Sequence, residues 1–197
     1  MKKICLMLLT ITLLVACSKD EMDRTIFIPD ENDGNLPAYT EWGYNSFGAE
    51  YERTYFLATN NIVPCKIVYK DHQLQFFLDG RVTGNYSGNR MTMAFIFPVE
   101  KPISNYADLM QLNNVKIDLA TAGCTVKMVQ NDNETILDVV GGELYFKRTQ
   151  LLKIDDAVNR VILSGTFELR FLKNGLPTSM SDGRFDLGIN DKVFYAY

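Results

Sequence analysis

From residue 42 onward the chain alternates apolar and polar side chains with period two, and this pattern restricts it to β-structure. Leu74, Phe76 and Leu78 interleave with Gln73, Gln75 and Phe77. Val115, Ile117 and Leu119 interleave with Lys116 and Asp118, and Val126 and Met128 continue the pattern. Phe167, Leu169 and Phe171 face away from Thr166, Glu168 and Arg170, and Phe185, Leu187 and Ile189 repeat the arrangement. Successive side chains of an extended strand point to opposite faces, so alternation presents one apolar face to a core. Met91–Phe97 is almost entirely apolar and reads as a strand covered on both sides.

Turn residues punctuate these runs at Asp79-Gly80, Ser87-Gly88-Asn89, Asn131-Asp132-Asn133, Gly141-Gly142, Asn174-Gly175 and Asp182-Gly183. Pro177, close behind Asn174-Gly175, argues for a longer loop there. The spacing predicts about ten strands in an antiparallel β-sandwich or sandwich-like barrel. At most one short helix fits. Ser104 is placed to cap a turn or two through Tyr106, Leu109 and Met110, behind Pro102. No Gly/Ser-rich or Pro-rich linker divides residues 42–197, which read as a single domain.

The first thirty residues follow other rules. Lys2 and Lys3 precede an apolar run from Ile4 to Ala16, broken only by Thr10 and Thr12. A basic start, a short apolar stretch and a small residue at its end make a secretory signal peptide over 1–16. The run is shorter than the roughly 20 apolar residues a membrane-spanning helix needs. Leu14, Val15, Ala16 and Cys17 resemble the lipobox of bacterial lipoproteins. The resemblance implies cleavage between Ala16 and Cys17, with lipid on the cysteine thiol and a membrane as partner. The cluster Asp20, Glu21 and Asp23 is similar to the surface-export signal of Bacteroidetes-type lipoproteins. It implies an outer-membrane protein facing the cell exterior, the periplasmic face being the alternative. Residues 17–41, with Pro29, Asp30, Glu31, Asn32, Asp33, Gly34 and Pro37, read as a lipidated acidic tether.

Without residues 1–16, which carry two lysines and no acid, the chain keeps 18 basic and 24 acidic side chains. No Lys/Arg run is visible, and this argues against nucleic acid as a partner, because phosphate contacts need clustered cations. Of the four cysteines, only Cys65 and Cys124 fall in the domain. An oxidising compartment permits a disulfide between them, and packing as two small hydrophobes is the competing reading.

A second resemblance lies further along. Gly141-Gly142-Glu143-Leu144-Tyr145-Phe146, the stretch Val161–Leu169 and Ser181-Asp182-Gly183-Arg184-Phe185-Asp186-Leu187 look like the C-terminal half of small Bacteroidetes lipoproteins of unknown function. Asn45-Ser46-Phe47-Gly48-Ala49 looks like their opening strand. The resemblance implies an antiparallel sandwich-like fold and no activity.

Signatures of catalysis are sparse, and a non-enzymatic binding or envelope-interaction module is the expectation. His72, the one histidine, follows Asp71 in an apparent surface turn. With Cys65 and Cys124 it shows none of the short ligand spacing of a zinc site. Asp30, Asn32, Asp33 and Gly34 start like a calcium loop, but Thr40 stands where the closing glutamate belongs. No cofactor is expected. Glu168, Asp182 and Asp186 are candidates for a carboxylate pair acting on polysaccharide, yet Glu168 and Asp186 lie on the polar side of alternating strands, where acids are ordinarily solvated. A carrier of an apolar ligand inside a lipocalin-like barrel is a further alternative.

Trp42 and Tyr44, near Tyr51 and Tyr55, with Tyr86 and Tyr106 in loop-like positions, are the candidate ligand contacts. Aromatic faces on loops stack against sugar rings or peptides. The competing reading puts the tryptophan in the core and the tyrosines in ordinary strand positions. A glycan or an envelope protein is the expected ligand.

Overall fold

The computed structural model describes residues 23–59, 63–83 and 89–197. Ala16, Cys17, Asp20, Glu21, Tyr86 and the Ser87-Gly88 pair lie outside them. The described chain is an all-β sandwich-like fold whose sheet is not closed into a barrel. Its strands are β1 (Ser46–Tyr51), β2 (Thr54–Ala58), β3 (Cys65–Lys70), β4 (Gln73–Thr83), β5 (Asn89–Pro98), β6 (Val115–Asp118), β7 (Thr125–Gln130), β8 (Asn133–Ile136), β9 (Asp138–Ile154), β10 (Ala157–Lys173), β11 (Leu176–Ile189) and β12 (Phe194–Ala196). They form one continuous path, β6-β9-β10-β11-β1-β2-β4-β5-β7-β8, with β3 on β4 and β12 on β3. Among the named strands, the β12–β3 pair is parallel and every other pair antiparallel.

The path folds over so that β9, β10 and β11 face β4 and β5, and phenylalanines fill the space between. Phe76 of β4 lies 5.6 Å from Phe146 of β9 and 5.3 Å from Phe185 of β11, centroid to centroid. Phe95 of β5 meets Phe167 of β10 at 5.6 Å. Tilted rings at these separations add about 0.5–1.5 kcal/mol per pair beyond the area they bury. The alternating residues supply this core: Leu74, Phe76, Leu78, Leu169, Phe171, Leu187 and Ile189 are fully buried. In β5 the burial also alternates. Met91, Met93, Phe95 and Phe97 point inward, while Thr92 and Ile96 are only half-buried. Ala94, on the same face as Thr92 and Ile96, is buried, so the second face is partly covered.

Several predicted turns are not turns. Asp79-Gly80 lies inside β4, which pairs with β3 up to Leu78 and with β2 from Gly80 onward. Gly141-Gly142 lies inside β9 beside a bulge, and Asp182-Gly183 inside β11 at another. Glycine serves close approach at these places. A Cβ on Gly80 would stand 2.2 Å from the Leu57 carbonyl oxygen, and one on Gly165 2.0 Å from that of Tyr145 and 2.6 Å from Cζ of Phe185. Among the described residues, the hairpin turns are pairs with positive φ: Glu52-Arg53, Asp71-His72, Asn131-Asp132, Asp155-Asp156 and Asn174-Gly175. Their twist matches that of the strands they join. Asn174-Gly175 therefore closes a two-residue hairpin despite Pro177. The proline pairs with Leu172, beyond the end of β1, where no neighbour needs its missing N–H.

The short helix is a 3-10 helix over Tyr106–Leu112, capped by Asn105 rather than Ser104. The Asn105 side chain accepts from the Ala107 N–H at 2.8 Å. The Asp108 carboxylate accepts from the N–H groups of Ser104 and Asn105, completing a capping box. Cys65 is buried, Cys124 is half-buried, and both thiols are free. Desolvation pushes the Cys65 thiol well above its ordinary pKa.

Residues 23–41 correct the tether reading. They cross the outer face of β1, β10 and β11 and are held there. Leu36 is 1% exposed, and Pro29 and Pro37 form a β-bridge. Asp30 pairs with Arg184 of β11 at 2.7 Å, and Asp23 pairs with Arg160 and Lys192. The backbone N–H groups of Asn32 and Asp33, helped by Arg184, hold the Asp30 carboxyl below its usual pKa. Among the described residues, Asp23 and Asp30 make ion pairs, and Asp30 and Asp33 cap local turns. The folded unit thus begins no later than Asp23.

Gly165→Ala is expected to lower stability by about 2 kcal/mol or more, because the new methyl meets backbone and a ring with no room to yield. A urea melt with a lower midpoint and unchanged slope would show it.

Candidate functional site

The candidate site is organised by one carboxylate. Asp186 of β11 pairs with Ser46 of β1 and Ser164 of β10, on the face turned away from the core. Alternation makes this a solvated position, but the segment before β1 covers it and Asp186 is 1% exposed. Its Oδ2 accepts from Thr40 Oγ1 at 2.6 Å and from the N–H groups of Trp42 and Tyr44 at 3.1 and 3.2 Å. Its Oδ1 accepts from the Gly43 N–H at 2.8 Å and from Ser164 Oγ at 2.9 Å. Three successive amides and two hydroxyls thus converge on a single anion. Gly43, at φ +74°, supplies the left-handed turn that aims them together.

This clamp fixes the backbone under Trp42 and leaves its side chain outside. Trp42 is 72% exposed, so it is not a core plug. Tyr44 is half-buried beside it. The other tyrosines scatter. Tyr51 is buried, with its hydroxyl accepting from Lys173 Nζ at 2.7 Å. Tyr55 is half-buried, and its hydroxyl accepts from Asn35. Tyr106 donates to the Val158 carbonyl. His72 is exposed in its turn, 3.5 Å from the Tyr69 hydroxyl.

What the fold places beside Trp42 was not legible in the sequence. Between Phe146 and Arg148, β9 carries an extra residue against β10: Gly165 pairs with Phe146 and Ser164 with Arg148. The bulge turns Lys147 and Arg148 both outward. Arg148 pairs with Glu41 at 3.3 Å, and Lys147 Nζ lies 4.9 Å over the Tyr39 ring. Gln150 donates to the Glu41 carbonyl, and Tyr39 donates to the Glu41 carboxylate at 3.0 Å. Burial and that carboxylate push the Tyr39 phenol above its ordinary pKa, so it stays a neutral donor. Tyr39, Thr40, Glu41, Trp42, Arg148 and Gln150 line an open concavity of about 410 Å³.

Two further hollows continue it. One joins Glu41, Arg148 and Gln150 to Lys147, Asn113 and Thr149. Thr149 is 4% exposed, and its hydroxyl has no hydrogen-bond partner among the described residues. The other joins Tyr39 and Lys147 to Glu143, Glu168, Asp182 and Arg184. Shared residues make the three a single shallow strip: an exposed tryptophan at one end, a tyrosine in the middle, and donors and acceptors of both charges throughout.

The strip divides the carboxylates named from the sequence. Glu168 and Asp182 line it together with Glu143, the residue directly across from Glu168 on β9. Asp186 is excluded, since both its oxygens are occupied by the clamp. No family model, no curated protein and no solved structure matches the chain.

Asp186→Ala is expected to destabilise the protein by about 3 kcal/mol, because buried donors lose a charged acceptor. Hydrogen exchange at the amides of Trp42, Gly43 and Tyr44 should accelerate more than in the core strands. Uniform acceleration would mean that the clamp does not hold this loop locally.

Proposed function

We propose that this is a lipid-anchored envelope protein, attached through Cys17 at the outer membrane and displayed outward, whose β-domain binds glycan non-enzymatically along the Trp42–Tyr39 strip. The observation that carries the binding reading is Trp42, 72% exposed, on a backbone immobilised by Asp186. Leaving a large apolar ring in water has a cost, and fixing its backbone lowers the entropy lost when a ligand covers it. An indole face suits the C–H face of a sugar ring. Arg148, Gln150, Glu41 and Tyr39 supply donors and acceptors for hydroxyl groups around it. An open, shallow strip fits a chain of sugars better than a small molecule that must be enclosed.

The anchor reading is supported by the basic start, the short apolar run and Leu14-Val15-Ala16-Cys17. Two or more acyl chains give lasting attachment, since each buried CH₂ contributes about 0.8 kcal/mol.

A glycan array probed with residues 23–197 tests the ligand class. Saturable binding to one class, lost in Trp42→Ala at unchanged melting temperature, is expected, because the exposed indole contributes little to packing. Binding that survives the substitution would remove Trp42 from the site. Binding to no glycan would direct the search to envelope proteins by crosslinking on intact cells. Cys17→Ser is expected to abolish palmitate labelling and release the protein from the membrane fraction; retained label would overturn the anchor.

A further inference from the structure

The first described residue of the fold is held by three polar contacts. Asp23 Oδ1 lies 3.3 Å from Nη2 of Arg160, whose side chain is 4% exposed, and Asp23 Oδ2 lies 2.8 Å from Lys192 Nζ. Asn190 donates a third contact at 3.5 Å. This latch sits just after the end of β11, at the start of β10, and six residues beyond Cys17. Six residues reach at most about 20 Å even when fully extended. If Cys17 carries lipid, the surface around the latch has to lie close to the bilayer.

That surface has a composition suited to the place. From Lys192 a chain of contacts leads onto the β3–β12 edge. The Tyr195 hydroxyl donates to the Lys192 carbonyl at 2.9 Å, and Lys66 Nζ lies 4.9 Å over the Tyr195 ring. The Tyr197 N–H donates to the Tyr69 carbonyl at 3.0 Å, which continues the edge to Lys70. Tyr195 is 38% and Tyr197 78% exposed, and Lys66, Lys70 and Lys192 point to solvent. Among the described residues, Asp191 and Asp71, next in sequence to Lys192 and Lys70, are exposed acids. Tyrosines with an apolar body and a polar tip collect at membrane–water boundaries, and lysines beside them favour an anionic headgroup layer. The opposite end of the molecule is the Asn174-Gly175 hairpin. β11 runs 14 residues from there to the latch, about 40 Å at the usual strand rise.

We propose that the β3–β12 edge, with Tyr195, Tyr197, Lys66 and Lys192 exposed beside the Asp23 latch, rests on the headgroups of the bilayer that holds the Cys17 lipid. The β10–β11 hairpin then points away from the membrane, and the Trp42 strip opens on the flank between them. The orientation rests on the anchor reading given above.

The experiment uses the full acylated chain carrying Cys124→Ser, reconstituted in phosphatidylethanolamine–phosphatidylglycerol vesicles that contain a nitroxide headgroup lipid. A fluorophore is placed on Tyr197→Cys or, as the distal control, on Leu176→Cys; both sites are strongly exposed, and buried Cys65 stays unlabelled. Quenching several-fold stronger at 197 than at 176 is expected. Equal quenching, or stronger quenching at 176, overturns the orientation. The emission of Trp42, the chain's one tryptophan, gives a third position: quenching there stronger than at 197 assigns the lipid contact to the flank and also overturns it. Vesicle flotation and the mass of the Cys17 peptide report the anchor separately. Loss of flotation without an acyl mass overturns anchor and orientation together, whereas flotation with uniform quenching overturns the orientation alone.

Discussion

The arrangement of the outer surface depends on one buried anion. Asp186 sits on the face of β11 turned away from the phenylalanine core, where a carboxylate would ordinarily be hydrated. Covering it is tolerable only because Thr40, Ser164 and three successive amides replace the lost water. The exchange works in both directions. The anion satisfies amides that no strand would otherwise pair, and the amides hold the chain across the sheet. With the β9 bulge that turns Lys147 and Arg148 outward, that contact sets the site: the clamp places Trp42, and the segment leading into it brings Glu41 against Arg148 and Tyr39 against Lys147.

The other polar contacts of the segment reinforce the arrangement at intervals. Asp23 meets Arg160 and Lys192, Asp30 meets Arg184, and Asn45 accepts from the Gly188 N–H. Exposed ion pairs contribute little, but Arg160 and Arg184 are largely buried, and a buried cation without its partner is costly. These contacts set where the segment lies more than they add net stability. One consequence is a covered outer layer at the start of the chain, reaching to within six residues of the proposed lipid attachment.

The core was legible in the sequence because period two is a direct image of strand geometry. Residues such as Phe76, Leu169 and Leu187 read as inward and are fully buried. Glycine was read less well. Asp79-Gly80, Gly141-Gly142 and Asp182-Gly183 resemble turns, but the same glycines serve wherever two backbones or a ring and a backbone come too close for a Cβ. Local sequence does not separate those uses, since the crowding partner, such as Leu57 against Gly80 or Phe167 against Gly183, is distant in the chain. The hairpin at Asp155-Asp156 went unread for the converse reason: aspartate enters the left-handed region readily without glycine as a signal.

For the site, the sequence by itself determined the ingredients: an alternating β-framework, a single tryptophan ahead of it and acids on polar strand positions. Only the tertiary structure decided that Trp42 is exposed while Asp186 is buried, the reverse of what each residue type suggests. Burial is a property of what lies on top of a side chain. Here that is a segment more than 140 residues away in the chain, whose polar composition reads as linker until its hydrogen-bond partners are in place.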